Sequence, residues 1–454
     1  MKTIKSRIPA YVITALLLIA LTACQSEQAA EIVDIAALTP TNTPCPAPTP
    51  TPVMQPPASP AMEPTPEPTP EVYEAKLGFV GDILMMTRQI ADAKTDTGYD
   101  FSASFANVAP LFASMDIMCA NFEGTLGGAE GGYTQPRATM APATAENPYP
   151  TRPPFQSFSA PDELAKNLFD AGVDVVTLAN NHAMDRDDAG LFRSIETLRA
   201  AGISTTGAAL SQEDFDTPCI LEANGIKIGF VGATQILNST APSIDAENRA
   251  FAVTMLNEDM AKRQIMACAD AGAEFIIVLV HWGYEHQSEV DSSQRKYAEK
   301  LIQWGADAII GSHSHCPQPM EWMPAQRDGK ELRVPVVYSL GNFISNMSQR
   351  NARIGVFAGI KLIRDGRGVR CAELGCIPLY CCRMDIDESG GAREAHTVLP
   401  CFLRQGEEGL DAGIADESVK RAMLEAYEHV KSICIGDRDD IKLIEWSDIY
   451  AGEA

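Results

Sequence analysis

Phe275-Ile276-Ile277-Val278-Leu279-Val280-His281-Trp282-Gly283-Tyr284-Glu285-His286 is the stretch that decides the fold class. Its apolar half has no polar interruption and stops at a histidine. A strand with one wet face alternates, so an unbroken Val/Ile/Leu run of this length is a strand covered on both faces. Six more runs read the same way: Lys76–Val80, Asp116–Ala120, Val173–Leu178, Ile226–Gly232, Ala306–Ile310 and Val334–Tyr338. Between them lie amphipathic stretches at Pro161–Ala171, Ala189–Ala201, Asn257–Ala271 and Ser293–Gly305. Ala-Gly or Trp-Gly closes these stretches, a helix stop signal. Buried strands alternating with helices predict an α/β domain from about residue 76 to 363. Gly355–Ile363 and Val369–Leu379 read as a hairpin around Asp365-Gly366, and Glu417–Ile435 as an amphipathic helix.

In an open α/β sheet, ligands bind beyond the carboxyl ends of the strands. The residues there are polar in every case. Gly81 and Asp82 follow Val80, and Asn121 and Glu123 follow Ala120. Asn180, Asn181 and His182 follow Leu178, while His281 and Glu285 follow Val280. Ser312, His313 and His315 follow Ile310, and Ser339, Gly341 and Asn342 follow Tyr338. Each residue alone reads as a turn or a helix cap. The set of Asp, Glu, Asn and several His at one sheet edge reads as a ligand cluster. Mixed nitrogen and oxygen donors without cysteine suit Mn, Fe or Zn at a catalytic site rather than a structural zinc.

The chain has 454 residues, 36 Lys+Arg against 60 Asp+Glu, and a formal net charge of -24. That charge excludes a nucleic-acid binder, which needs a basic footprint. A polyanionic substrate would need a local cation, either Arg or a bound metal. Arg88, just past the first strand end, is a candidate for a carboxylate or phosphate, and equally a solvated helix residue. Trp282 and Glu285 flank His281 as a pocket wall and an ammonium or proton site, with a core role open for Trp282. Asn342 is a candidate ligand contact or a turn brace.

Residues 1–23 carry Lys2, Lys5 and Arg7 ahead of the apolar run Ile8–Leu21, which reads as a secretory signal. Its end, Leu21-Thr22-Ala23-Cys24, resembles the bacterial lipobox and makes Cys24 the lipidation candidate. Residues 24–75 are rich in Pro and Thr, a polyproline II tether with a reach on the order of 100 Å. The expected location is extracytoplasmic, lipid-anchored to the cell membrane through Cys24. The boundaries so read are 1–23 signal peptide, 24–75 tether, 76–382 domain and 383–454 C-terminal extension. Of twelve cysteines, Cys119 and Cys268 read as buried thiols. An exported setting permits disulfides among Cys371, Cys376, Cys381, Cys382, Cys401 and Cys434.

GFVGDILMM, CANFEGTL, TLANNHAMD, VHWGYEH, IIGSHSH and YSLGNF, in that order, resemble the CapA family of bacterial capsule-synthesis proteins. The resemblance covers about residues 76–346. It implies a domain of calcineurin-type metallophosphatase architecture: a four-layer α/β/β/α sandwich with two metal ions at the strand ends. It also implies roles. Asp82 is the first metal aspartate and Glu123 the bridging carboxylate. Asn181 is a ligand, and His182 protonates a leaving group with Asp185 orienting it. His281 and His313 hold one ion, and His315 with Asp82 the other. Two ions about 3.5–4 Å apart would activate water and clamp the substrate oxygens. The sequence departs from the phosphatase pattern where Asp-x-His is expected, since Ile83 and Leu84 follow Asp82. His286 follows Glu285 where CapA relatives commonly have Tyr, and Ser314 stands where they commonly have Pro.

The expected function is a metal-dependent component of poly-γ-glutamate capsule assembly, partnered with the membrane, the anionic polymer and membrane synthase subunits. A surface metallophosphoesterase and a non-catalytic scaffold are the alternatives. The missing Asp-x-His histidine counts against the first alternative, and the retained ligand set against the second.

Overall fold

The computed structural model describes residues 72–134, 157–238, 244–327, 329–386, 393–402 and 416–445. The signal segment, Cys24 and the tether lie outside these residues. In chain order the strands are β1 (Tyr73–Ile83), β2 (Ile117–Phe122), β3 (Val175–Thr177), β4 (Ser204–Thr206), β5 (Cys219–Ala223), β6 (Ile226–Thr234), β7 (Phe275–His281) and β8 (Ala308–Ser312). They continue with β9 (Met320–Arg327), β10 (Lys330–Val337), β11 (Asn342–Ile344), β12 (Ile354–Asp365), β13 (Gly368–Ile386), β14 (Arg393–Pro400) and β15 (Lys442–Leu443). One sheet has the order β14-β13-β12-β1-β2-β3-β4, with β11 added on β1 and β15 on β13. The other has the order β5-β6-β7-β8-β10-β9.

The period-2 geometry of a strand explains why the apolar runs are unbroken. In β7, Phe275, Ile277 and Leu279 face a core shared with Leu77, Phe79, Ile117 and Cys119 of the other sheet. Ile276, Val278 and Val280 point the opposite way. They meet Ile265 and Cys268 of the helix Arg263–Asp270, and Ala298 and Leu301 of the helix Ser292–Trp304. On the first sheet, Met118, Ala120 and Phe122 likewise turn to Leu164, Leu168, Leu191 and Ile195. Those four lie on the helices Glu163–Asp170 and Asp187–Ala200. Helix, sheet, sheet and helix are therefore stacked in four layers, as the resemblance implies. Each large side chain so buried contributes about 1.5–3 kcal/mol relative to exposure.

Local signals set the helix ends. Asp291 caps Ser292–Trp304 by accepting from Ser293 N and Gln294 N at 2.6 and 3.1 Å. Asn257 Oδ1 accepts from Met260 N at 2.9 Å at the start of the helical segment leading into Arg263–Asp270. No helix among the described residues is long and apolar enough to cross a membrane.

Two expectations require correction. The boundary drawn at residue 382 falls inside β13. β14 and β15 extend the same sheet, and Val419, Met423, Ala426, Tyr427 and Val430 of the helix Glu417–Val430 enter the core between the sheets. The hairpin around Asp365-Gly366 leaves an open strand edge, and the C-terminal segments cover it. The C-terminal segments therefore belong to the domain. The ten cysteines among the described residues are free thiols, and burial raises the pKa of all ten. No disulfide closes the last quarter among the described residues.

Candidate metal centre

The carboxyl ends of β1, β2, β7 and β8 meet at one point between the sheets. β1 delivers Asp82, beside β11 in a register that pairs Asp82 with Asn342. Gly81 permits this approach, because a Cβ there would lie 1.8 Å from Gly341 O. Glu123 follows β2, and its backbone N–H donates to Ile83 O at 3.0 Å. β7 ends on His281, and the turn after β8 carries His313 and His315. Asp82, Glu123, His281, His313 and His315 are each at most 4% exposed.

Two donor triads emerge. Ligand atoms of Glu123, His281 and His313 lie within 4.8 Å of one another, and so do those of Asp82, Glu123 and His315. Glu123 belongs to both. Its two carboxylate oxygens are buried and have no hydrogen-bond donor. Oε1 lies 3.8 Å from His281 Nε2, and Oε2 lies 3.9 Å from His315 Nδ1. Buried carboxylate oxygens without partners are rare, because their desolvation then goes unanswered. His313 Nδ1 is unpartnered in the same way. These orphaned atoms point inward and match what divalent ions require, so the donor set fits the metal centre that the motifs imply.

Electrostatics agree with this geometry. Burial, then the Asp82 charge, pushes the Glu123 carboxyl well above the usual carboxylate range. Burial and the neighbouring imidazoles hold His281 well below its ordinary value and bring His313 to about 4. Burial also disfavours a charged His315, but Glu123 and Asp82 outweigh it and raise this imidazole to about 10. His281 and His313 are thus neutral, as a ligand must be, and the carboxylate charge that draws a proton onto His315 is the charge a bound cation would answer in its place.

Neighbouring groups hold the donors in place. Asn121 Nδ2 donates to Asp82 Oδ1 at 2.7 Å. His281 Nε2 lies 2.8 Å from Asn181 Oδ1, so both atoms can turn lone pairs toward one ion. The tautomer that frees Nε2 carries its proton on Nδ1, where Ser312 Oγ accepts at 3.1 Å. Five non-glycine residues among those described have positive φ, and three of them are His286, His313 and His315. Such strain gathers where geometry is imposed for function.

His182 stands beside the cluster. Its Nδ1 lies 2.7 Å from Asp185 Oδ2, which also accepts from Phe158 N at 2.6 Å. Nε2 lies 3.2 Å from Asn238 Nδ2, and the Phe158 ring packs edge-on at 4.5 Å. Asp185 therefore fixes the imidazole orientation, and Nε2 lies on the opposite side, toward Asn238.

Not every sequence-predicted residue joins the site. Arg88 lies on the short helix Thr87–Asp92, is about half exposed, and pairs with Asp92 at 3.3 Å and Glu394 at 3.8 Å. It serves as a surface ion-pair residue, because an i,i+4 carboxylate reaches it first. Trp282 is fully buried and faces away from His281, as alternation along the strand requires. Its Nε1 donates to Tyr338 O at 2.9 Å, so it is core rather than pocket wall. Asn342 is buried, donates to Ser345 Oγ and Ala352 O, and turns Oδ1 to His315 Nδ1 at 2.9 Å. It braces the turn and carries no open substrate contact. Glu285 is exposed, and its charge is felt by Glu123, His313 and His315. Asn121 and Ser312 were visible as post-strand polar residues without a role. Asn238 had no motif around it, and only the tertiary contact reveals it.

The fold and cluster define a class: a four-layer α/β sandwich that gathers a shared-carboxylate, imidazole-rich donor set at its strand ends. Residues 76–347 match the family described as bacterial capsule synthesis protein PGA_cap, and the chain belongs to that family. It is 26% identical over 297 residues to the PGA biosynthesis protein CapA of Bacillus subtilis, covering 64% of this chain and 68% of that one. It is 27% identical over 270 residues to the capsule biosynthesis protein CapA of Bacillus anthracis, covering 58% of each. Among solved structures, the sulfate thiohydrolase SoxB of Thermus thermophilus aligns with a TM-score of 0.37 and 13% identity, over 78% of this chain and 60% of that one. So slight a likeness adds nothing to the architecture, which rests on the two sheets of this chain.

Proposed function

We propose that this protein is a membrane-tethered, metal-dependent component of extracytoplasmic poly-γ-glutamate assembly, anchored through lipidated Cys24. The observation that carries a hydrolase-type site is Glu123, buried, without a hydrogen bond and shared by two triads. Family membership and the names of the two Bacillus relatives support the capsule polymer as the substrate class. A net charge of -24 repels a polyanion, so bound cations would supply the local attraction. Membrane synthase subunits are the partners this reading implies.

Bound divalent ions would polarise the scissile group and activate water. Asp82, Glu123 and His315 would hold one, and Glu123, Asn181, His281 and His313 the other. His182, oriented by Asp185, gives a proton from Nε2 to the leaving group. Glu285 stands at the rim for a substrate amine or for proton movement.

The test counts metal by elemental analysis in the full-length chain purified in detergent, wild type against His313→Ala/His315→Ala. Turnover of poly-γ-glutamate and of a phosphodiester is followed alongside. Metal lost in the double variant, together with polymer turnover in the wild type, is the expected result. Phosphodiester turnover alone would establish a surface phosphoesterase, and neither metal nor turnover would leave a scaffold. His182→Ala is expected to lower turnover about 10²–10⁴-fold with metal content unchanged. Full activity of that variant would remove the proton-donor role.

A further inference from the structure

The two amide atoms of Asn342 have different neighbours, and these fix which way the amide faces. Nδ2 donates to Ala352 O at 2.9 Å and to Ser345 Oγ at 3.0 Å. A backbone carbonyl only accepts, so Nδ2 must take that side and Oδ1 the other. Oδ1 then lies 2.9 Å from His315 Nδ1, in a residue that is fully buried.

Three oxygens gather around His315 Nδ1: Asn342 Oδ1 at 2.9 Å, Asp82 Oδ2 at 3.1 Å and Glu123 Oε2 at 3.9 Å. The nitrogen carries one proton at most, and a single N–H serves one acceptor well. Hydrogen bonding alone does not call for so many oxygens. Donor atoms that share one ion at about 2.0–2.2 Å lie about 2.8–3.6 Å apart, and the contacts to Asn342 and Asp82 fall in that range. The other triad is built on the same plan, with Asn181 Oδ1 set 2.8 Å from His281 Nε2.

The strand pairing delivers Asn342 to this place. Asp82 N donates to Gly341 O at 3.0 Å and Leu84 N to Ile344 O at 2.9 Å, so β11 runs alongside the end of β1. Gly341 takes φ +66°, and a Cβ there would lie 2.8 Å from Ile354 O. β1 itself sends no second donor, because Leu84, where Asp-x-His has its histidine, is apolar and fully buried.

Resting on the reading of the cluster as a two-ion centre, we propose that Asn342 Oδ1 is a direct ligand, the fourth donor of the Asp82–Glu123–His315 position. It stands in, from the neighbouring strand, for the histidine that Asp-x-His would supply. The bonds of Nδ2 that brace the turn also hold this oxygen in place. The position then offers three oxygens and one nitrogen, whereas Glu123, Asn181, His281 and His313 offer two of each. The oxygen-rich position suits the harder ion, Mn²⁺ or Mg²⁺, and the other suits Zn²⁺ or Fe²⁺.

The experiment uses the full-length chain loaded with Mn²⁺ or Co²⁺. Ions per chain are counted by elemental analysis, affinities are read by chelator competition, and the Co²⁺ visible spectrum reports coordination. The wild type is expected to hold two ions. Asn342→Ala is expected to keep one ion at wild-type affinity, to weaken the other at least about 10-fold, and to alter the Co²⁺ spectrum. Ser345→Ala, which removes one of the bracing acceptors and no donor to the ion, is expected to keep both. Asn342→Asp decides the matter if the alanine variant does not fold. It adds a buried carboxylate to the same position, so Mn²⁺ should raise its melting temperature more than that of the wild type. Two ions at wild-type affinity in Asn342→Ala, an equal loss in Ser345→Ala, or equal Mn²⁺ shifts in Asn342→Asp and wild type would overturn the assignment. His313→Ala separates the two ideas. Metal lost there but untouched in Asn342→Ala sinks only Asn342, whereas no ion in the wild type sinks the centre and Asn342 together.

Discussion

Glu123→Gln is expected to strip both ions from the chain while leaving the fold intact. Glu123 is the one carboxylate common to both triads, and neither of its oxygens has a hydrogen-bond donor. An amide of the same shape keeps the packing but removes the charge and one of the two oxygen donors. Affinity should fall more than about 100-fold at each position, beyond the 10–100-fold typical of losing a group that merely orients a ligand. Asp82→Asn and His313→Ala, each in one triad, should each cost a single ion. Thermal melting adds a change of opposite sign. Burial and Asp82 make a charged Glu123 costly, so the metal-free variant should melt no lower than metal-free wild type. Excess Mn²⁺ should then raise the wild type alone, by about 2.7 kcal/mol per site at a hundred times Kd. Two ions retained in Glu123→Gln would refute the shared-carboxylate centre.

Trp282→Ala should produce the largest loss of stability, about 3–5 kcal/mol, the usual cost of emptying a large aromatic site. The indole is fully buried, stacks on Tyr338 with ring centres 6.0 Å apart, and donates to Tyr338 O at 2.9 Å. It also fills the space over Gly311, where an added Cβ would lie 2.7 Å from Nε1. Trp282→Phe keeps most of the volume but deprives Tyr338 O of its donor, for a loss of about 1–3 kcal/mol. Denaturant unfolding measures both. A change below about 1 kcal/mol for the alanine variant would return Trp282 to the pocket wall. Metal content of the folded Trp282→Phe protein should match wild type.

Much of the architecture was legible because burial on both faces writes unbroken apolar runs. Phe275–Val280 and Ile226–Gly232 reveal strands without reference to any neighbour, and Gly172, Gly202, Gly272 and Gly305 mark where helices stop. Edge elements were less legible. β4 has only three residues, β5 and β9 are half exposed, and β14 mixes Arg, Glu, His and Thr with its apolar residues, so none of them writes an unbroken apolar run. The boundary at 382 failed for that reason: the residues after it are polar enough to read as an appendage, and only strand pairing makes them part of the sheet.

The donor residues were legible too, since five of the six motifs carry Asp82, Glu123, Asn181, His281, His313 and His315 at the places where strands stop. Composition and strand pattern, by themselves, determined an acidic α/β chain with a nitrogen- and oxygen-rich ligand set at one sheet edge. Which residues form one donor triad, and which only look as if they belong, was decided by the tertiary structure. Glu123 is common to both triads because β1, β2, β7 and β8 converge, a relation no spacing encodes. Trp282 turns into the core because a strand sends successive side chains to opposite faces, and Arg88 turns to Asp92 because a helix brings i and i+4 together. The His286 ring comes to lie beside His315 because one backbone hydrogen bond, 2.7 Å long, ties together two loops far apart in the chain.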